Sequence, residues 1–125
     1  MRRSRRSGAA VAASILASVA WAEEEYPQFD DPTLRLGREV WIGTCLACHT
    51  TDIAGAPEVT DAAAWAPRIE QGKEVLYRHA LDGFHGPAGT EMPARGGNSS
   101  LSDDQVKAAV DYMVALVKSL SGENQ

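Results

Sequence analysis

The sequence predicts an all-helical domain, and three observations carry that prediction. Apolar residues recur at three- and four-residue spacing in several stretches. No segment sustains the alternation that a half-buried strand requires. The final stretch carries helix start and stop signals at both ends. A chain of 125 residues has room for one such domain.

Arg2, Arg3, Arg5 and Arg6 form a cationic head, and Gly8 to Ala20 is an uncharged run rich in Ala and Val. Ala20-Trp21-Ala22 places small residues at the two positions that determine cleavage. This is the layout of a secretory signal peptide over residues 1–22, cleaved after Ala22. Its apolar run is shorter than the ~20 residues a bilayer span needs, so no membrane span is expected once it is removed. The mature chain is expected to be periplasmic.

Cleavage takes four of the twelve basic groups and none of the seventeen acidic ones, so the net charge falls from −5 to −9. A chain so acidic repels nucleic acid and anionic membrane surfaces and attracts a partner with a basic face.

Residues 23–32 are acidic and aperiodic and read as a flexible leader, which leaves a domain over residues 33–122. Leu34, Gly37, Val40, Trp41 and Thr44 repeat at helical spacing and predict a first helix over residues 33–44. Gly55 and Pro57 mark residues 50–60 as a loop. Asp61 can cap a short helix through Ala62-Ala63-Ala64-Trp65, which Pro67 should end or restart.

A further helix is predicted over residues 73–81, with Gly83 as its stop. Gly86, Pro87, Gly89, Pro93, Gly96 and Gly97 argue against any regular element in residues 84–100. Ser102 and Gln105 then form a capping box, and Asp103 and Asp104 suit the positive end of a helix dipole. Val106, Ala109, Val110, Met113, Val117 and Leu120 make one apolar stripe, and Gly122 ends it.

The two cysteines lie three apart, as Cys45-Leu46-Ala47-Cys48, with His49 directly after. A disulfide across so short a loop removes little unfolded-chain entropy and makes a poor staple. A thioredoxin-like pair needs a strand–helix setting that is absent, and a zinc site lacks a second Cys-x-x-Cys.

Cys-x-x-Cys-His is instead the attachment signature of c-type haem. Two thiols on one side of a helical turn meet the two vinyl groups of one porphyrin edge, and the next residue's imidazole falls beneath the ring. Haem also answers a second problem: the mature chain has few large apolar residues, and a large apolar ligand supplies the missing core. One covalent haem c is therefore expected, held by Cys45 and Cys48 and ligated by His49.

An imidazole bound to iron through Nε2 needs an acceptor for its Nδ1–H, and the Pro57 carbonyl is placed to serve. For the opposite iron face the candidates are Met92, Met113, His79 and His85. Met113 lies on the apolar stripe as core filler. His79 is expected to be exposed in mid-helix. Met92 precedes Pro93 in the glycine-rich loop, where a thioether makes sense as a soft ligand, and His85 is the leading alternative.

With these residues in view the chain resembles the class I c-type cytochromes, most narrowly the bacterial cytochrome c5 family. The resemblance runs from about Leu34 to Leu120. It rests on Cys45-Leu46-Ala47-Cys48-His49, Gly55-Ala56-Pro57, Ala64-Trp65-Ala66-Pro67-Arg68, Leu81-Asp82-Gly83, Met92-Pro93-Ala94-Arg95-Gly96-Gly97 and the last amphipathic helix with Tyr112.

The resemblance implies about four helices wrapped around one covalent haem, with His49 and Met92 as the axial pair. It places Trp65 and Arg68 near the haem propionates, with Gly37 and Trp41 meeting the last helix near Tyr112. The bland alternatives are Trp65 as plain core and Arg68 as a surface ion pair with Glu70. One departure stands out: members often carry a second Cys-x-x-Cys after the paired glycines, where this chain has Asn98-Ser99-Ser100-Leu101. That puts the rigidity of the loop in doubt.

The expected function is single-electron transfer between membrane or periplasmic redox proteins through transient encounters, without catalysis of its own. The alternatives are a haem enzyme or sensor with a labile sixth ligand, or the electron-entry subunit of a larger oxidoreductase.

Overall fold

Helix α1 (Pro32–Val40) starts where the Asp31 carboxylate accepts the N–H groups of Thr33 and Leu34 at 2.7 and 3.1 Å. Pro32 sits in its first turn, where a missing N–H costs nothing. The computed structural model describes residues 25–123; the proposed signal peptide lies outside the described residues.

The first helix was expected to run to Thr44, but regular α-helical bonding stops at Val40. Trp41–Cys45 forms a π-helical turn, closed by the Leu46 N–H on the Trp41 carbonyl, and α2 (Leu46–His49) resumes directly. The wider turn re-aims the cysteine motif relative to the apolar stripe of α1.

Helix α3 (Ala62–Glu70) has the predicted Asp61 cap, whose carboxylate accepts the Ala64 N–H at 3.0 Å. It does not stop at Pro67 but runs through it. Buried Trp65 anchors the middle of the helix, while Pro67 lies on its exposed side. Helix α4 (Lys73–Asp82) is bounded by Gly72 and Gly83, both at positive φ. Helix α5 (Asp103–Leu120) carries the predicted capping box in full, with Ser102 accepting from Gln105 N–H and Gln105 accepting from Ser102 N–H.

Residues 84–100 are more regular than their glycines and prolines suggested. β1 (Phe84–His85) pairs antiparallel with β2 (Glu91–Met92), Phe84 opposite Met92 and His85 opposite Glu91. Short 3₁₀ turns at Pro87–Gly89 and Ala94–Gly97 fill the remainder. The ribbon is too short to change the helical class.

Helices α1 and α5 form the most extensive pair in the molecule. Gly37 makes their crossing possible: a Cβ there would lie 2.0 Å from the Ala108 carbonyl oxygen and 2.9 Å from the Tyr112 Cβ. Trp41, Tyr112 and Leu116 are wholly buried beside it, with the Trp41 and Tyr112 rings 5.8 Å apart.

Within the stretch expected as a flexible leader, Tyr26 to Phe29 packs against the domain. Tyr26 stacks tilted on Trp41 at 5.1 Å and Phe29 meets Tyr112 edge-on at 5.9 Å. The Pro27 carbonyl accepts the Tyr112 hydroxyl at 2.9 Å, and the Tyr26 carbonyl accepts Arg38 Nε–H at 2.8 Å. Its acidic composition suggested a solvated strand of chain; its two aromatic rings pin it to the α1–α5 crossing instead.

The buried apolar residues fall into two groups around α5. One, with Val40, Trp41, Trp65 and Tyr112, lies against α1 and α3; the other, with Ala80, Val106 and Val110, lies against α4. Met113 belongs to the first, while Leu76 and Met92 flank the second. Between them lies a cavity.

Candidate cofactor site

The cavity measures about 540 Å³, within the range of small-molecule and cofactor sites, and its walls are mainly apolar. All seven site residues expected from the sequence border it: Cys45, Cys48, His49, Pro57, Trp65, Arg68 and Met92. They reach it from different parts of the chain. The helical run through α2 delivers the two cysteines and His49, α3 delivers Trp65 and Arg68, and β2 delivers Met92.

His49 is buried, and its Nδ1 lies 2.9 Å from the Pro57 carbonyl oxygen. A carbonyl only accepts, so Nδ1 carries the hydrogen and Nε2 keeps its lone pair. Burial lowers the pKa of this imidazole; the Pro57 bond opposes the shift and the Arg68 charge adds to it. A neutral imidazole with a free Nε2 is the form in which histidine binds a metal. The loop is drawn back onto the motif by a second bond, from Val59 N–H to the His49 carbonyl at 2.9 Å.

Gly55 must be glycine for two reasons. Its φ is +77°, and a Cβ would come within 2.4 Å of the Thr90 side chain on the opposite rim.

Burial, helped by neighbouring Cys48, pushes the Cys45 thiol up to about 11. Among the described residues no group of three or more His, Cys, Asp or Glu side chains is placed to hold a metal ion by itself. The zinc reading therefore has no support.

Trp65 and Arg68 are on the cavity wall, but their hydrogen bonds turn inward to the protein. The Trp65 indole N–H donates to the Glu58 carbonyl at 2.9 Å, and its ring lies 5.8 Å from that of His49. Arg68 Nη1 donates to the Ala64 carbonyl at 2.6 Å, leaving its other N–H groups for a ligand.

The candidates for the sixth ligand separate clearly. His85 does not border the cavity; it is largely exposed, beside Glu91 at 3.8 Å. His79, expected on the surface, borders the cavity and stacks on Phe84, 4.1 Å between ring centroids. Its spacing from Leu76, three residues along the same helix, was the available signal for this placement. Met113, expected as core filler, is buried and borders the cavity as well.

The residues therefore fit a haem. Two thiols, a neutral imidazole and a thioether face one apolar cavity that the protein's own side chains leave unfilled.

Comparison with known proteins agrees. Residues 32–113 match the family model described as cytochrome c oxidase, cbb3-type, subunit III. Cytochrome c-555 of Chlorobaculum tepidum is 48% identical over 82 residues, covering 66% of this chain and 75% of that protein. Cytochrome c5 of Azotobacter vinelandii is 37% identical over 84 residues, covering 66% of this chain and 95% of that protein. A chain in the crystal structure of an electron transfer complex of nitrite reductase with cytochrome c superposes with a TM-score of 0.58 at 34% identity, covering 70% of this chain and 96% of that one.

Proposed function

The chain belongs to the class I c-type cytochromes, close to the cytochrome c5 group, and carries one covalent haem c; from that premise we propose that it is a periplasmic carrier of single electrons between respiratory redox proteins. The observation that carries this reading is the cavity bordered at once by Cys45, Cys48, His49 and Met92.

In this reading Cys45 and Cys48 would hold the haem through thioether bonds. His49 would offer Nε2 to the iron while Pro57 holds its other nitrogen in one tautomer, and Met92 would be the thioether ligand. When bound, the haem supplies a one-electron couple. The protein's part is to keep both ligands in place, exclude water with apolar walls and leave Arg68 to meet the propionates. If His49 and Met92 both bound the iron, it would be left to electron transfer, which suits a carrier better than an enzyme or a gas sensor.

Export is supported by the arginine-headed, alanine-rich run over residues 1–22, and no described helix is long and apolar enough to cross a membrane. The net −9 of the mature chain favours transient partners with a basic docking face. The similar chain found in a complex with nitrite reductase supports an enzyme of that redox type as one class of acceptor.

The test is optical. A low-spin ferric spectrum with the weak near-infrared band of methionine–iron bonding is expected, lost in Met92→Ala. A high-spin spectrum that takes up carbon monoxide or cyanide at once contradicts the carrier reading. Electron delivery to a partner should slow about threefold between ~20 and ~200 mM salt.

A further inference from the structure

The segment that follows Met92 is held by a charge clasp. Arg95, three residues on, adopts φ +56°, a left-handed conformation that a non-glycine residue takes only when its surroundings hold it there. Its guanidinium is two-thirds or more buried and makes two bonds to one target region. Nη1 donates to the Leu101 carbonyl at 2.9 Å, and Nη2 donates to the carboxylate of Asp103, the first residue of α5.

Asn98 completes the closure. Its Nδ2 donates to Thr44 Oγ1 at 3.3 Å, tying the segment to the residue before Cys45. Its Oδ1 accepts from the N–H and hydroxyl of Ser100, and its own N–H donates to the Arg95 carbonyl. The loop is thus anchored at both ends of the site, on α5 and on the cysteine motif. Arg95, Gly96 and Met92 also line a second, ~20 Å³ apolar pocket together with Cys45 and Met113.

We propose that Arg95, through Asp103 and the Leu101 carbonyl, is the positioning residue that keeps Met92 seated, and that this clasp sets how readily the thioether gives way to an outside ligand. The inference rests on Met92 being the axial ligand. A charge-assisted bond holds the loop closed, and opening it must break that bond while leaving most of the core intact.

Asp104 offers an internal control. It carries the same charge in the same first turn of α5, but makes no hydrogen bond or ion pair to Arg95. Asp103→Asn and Asp104→Asn therefore weaken the helix dipole alike, and only the first weakens the clasp.

The experiment uses the ferric haem-loaded protein and imidazole as the probe. Two quantities are read: the rate at which imidazole abolishes the near-infrared band, and amide exchange over residues 94–98. Arg95→Gln should speed displacement about tenfold and Asp103→Asn about threefold, each with faster exchange in that segment. Asp104→Asn should leave both readouts within about 1.5-fold of the parent.

Equal rates for Asp103→Asn and Asp104→Asn would overturn the clasp. Absence of the band from the parent protein would instead remove the Met92 assignment. Should Arg95→Gln fail to fold, the paired aspartate variants still decide.

Discussion

Two halves of this molecule solve the packing problem in opposite ways. At the α1–α5 crossing, Gly37, Trp41, Tyr112 and Leu116 pack closely and are buried, and Tyr26 and Phe29 lie against their outer side. On the other side of α5, helix faces and short turns together surround a cavity of about 540 Å³. All four non-glycine residues at positive φ among those described, Asp52, Ala54, Ala88 and Arg95, lie in the turns on this side, and Ala54 borders the cavity itself. Backbone strain of about 1–3 kcal/mol at such a residue persists only where the surroundings enforce it. One half supplies its own core. The other is shaped to receive one.

The sharpest way to break this comparison is to take away the attachment points. Cys45→Ala with Cys48→Ala should leave the haem unheld. Amide protection over residues 50–60 and 84–97 is then expected to fall by about a hundredfold or more, and over α1 and α5 by far less. Equal losses in both halves, read by hydrogen exchange, would show that the two are one cooperative unit.

The next effect falls on the dense half. Gly37→Ala would place a methyl group 2.0 Å from the Ala108 carbonyl oxygen, backbone that cannot swing aside. A loss of about 3 kcal/mol or more is expected in denaturant unfolding of the haem-loaded protein. A loss under ~1 kcal/mol would mean that the helices can part freely.

The difference in how the two halves are built also explains what was legible in the sequence. Helix α5 could be read closely because its cap, dipole and stripe are local: Ser102, Gln105 and Val106 announce it without help from elsewhere. The site's chemistry was legible for the same reason, since Cys45, Cys48 and His49 are adjacent in the chain. What was missed depends on distant partners. The π-helical turn at Trp41–Cys45 leaves no pattern in residue type, the β1–β2 ribbon pairs residues among breakers, and Tyr26 and Phe29 read as solvated until Trp41 and Tyr112 are set beside them. The Asn98-Ser99-Ser100-Leu101 stretch put the loop's rigidity in doubt, but hydrogen bonds from Arg95 and Asn98 across to α5 and Thr44 anchor it.

A smaller effect sits at the seam where α4 meets α5. The Tyr77 hydroxyl donates to the Asp111 carboxylate, which also faces Lys73 at 3.4 Å. Burial first, then the Asp111 bond and charge, raise the Tyr77 pKa. The folded state therefore favours the neutral phenol, so this contribution is complete below the ordinary pKa near 10 and is lost as pH rises towards and through the folded value. Tyr77→Phe should cost about 1–2 kcal/mol at pH 7 and flatten the decline in stability above pH ~10. An unchanged alkaline decline would place its cause elsewhere.

The smallest expected change is Tyr112→Phe, which keeps the ring in the aromatic cluster and removes its hydroxyl with its bond to the Pro27 carbonyl. About 1 kcal/mol is expected, together with faster amide exchange at residues 26–30 and none of the loss of protection expected on the cavity side. Exchange in those residues that does not change would free the leader from the crossing.

The claim beneath all of this is that Cys45 and Cys48 hold a haem by covalent bonds, and intact-mass measurement of the denatured protein tests it directly. After expression with haem-maturation machinery, the account predicts one species heavier than the polypeptide by a single haem, with both cysteines blocked to alkylation. A polypeptide at its bare mass with two free thiols, or a pigment that leaves on acid–acetone extraction, would contradict it.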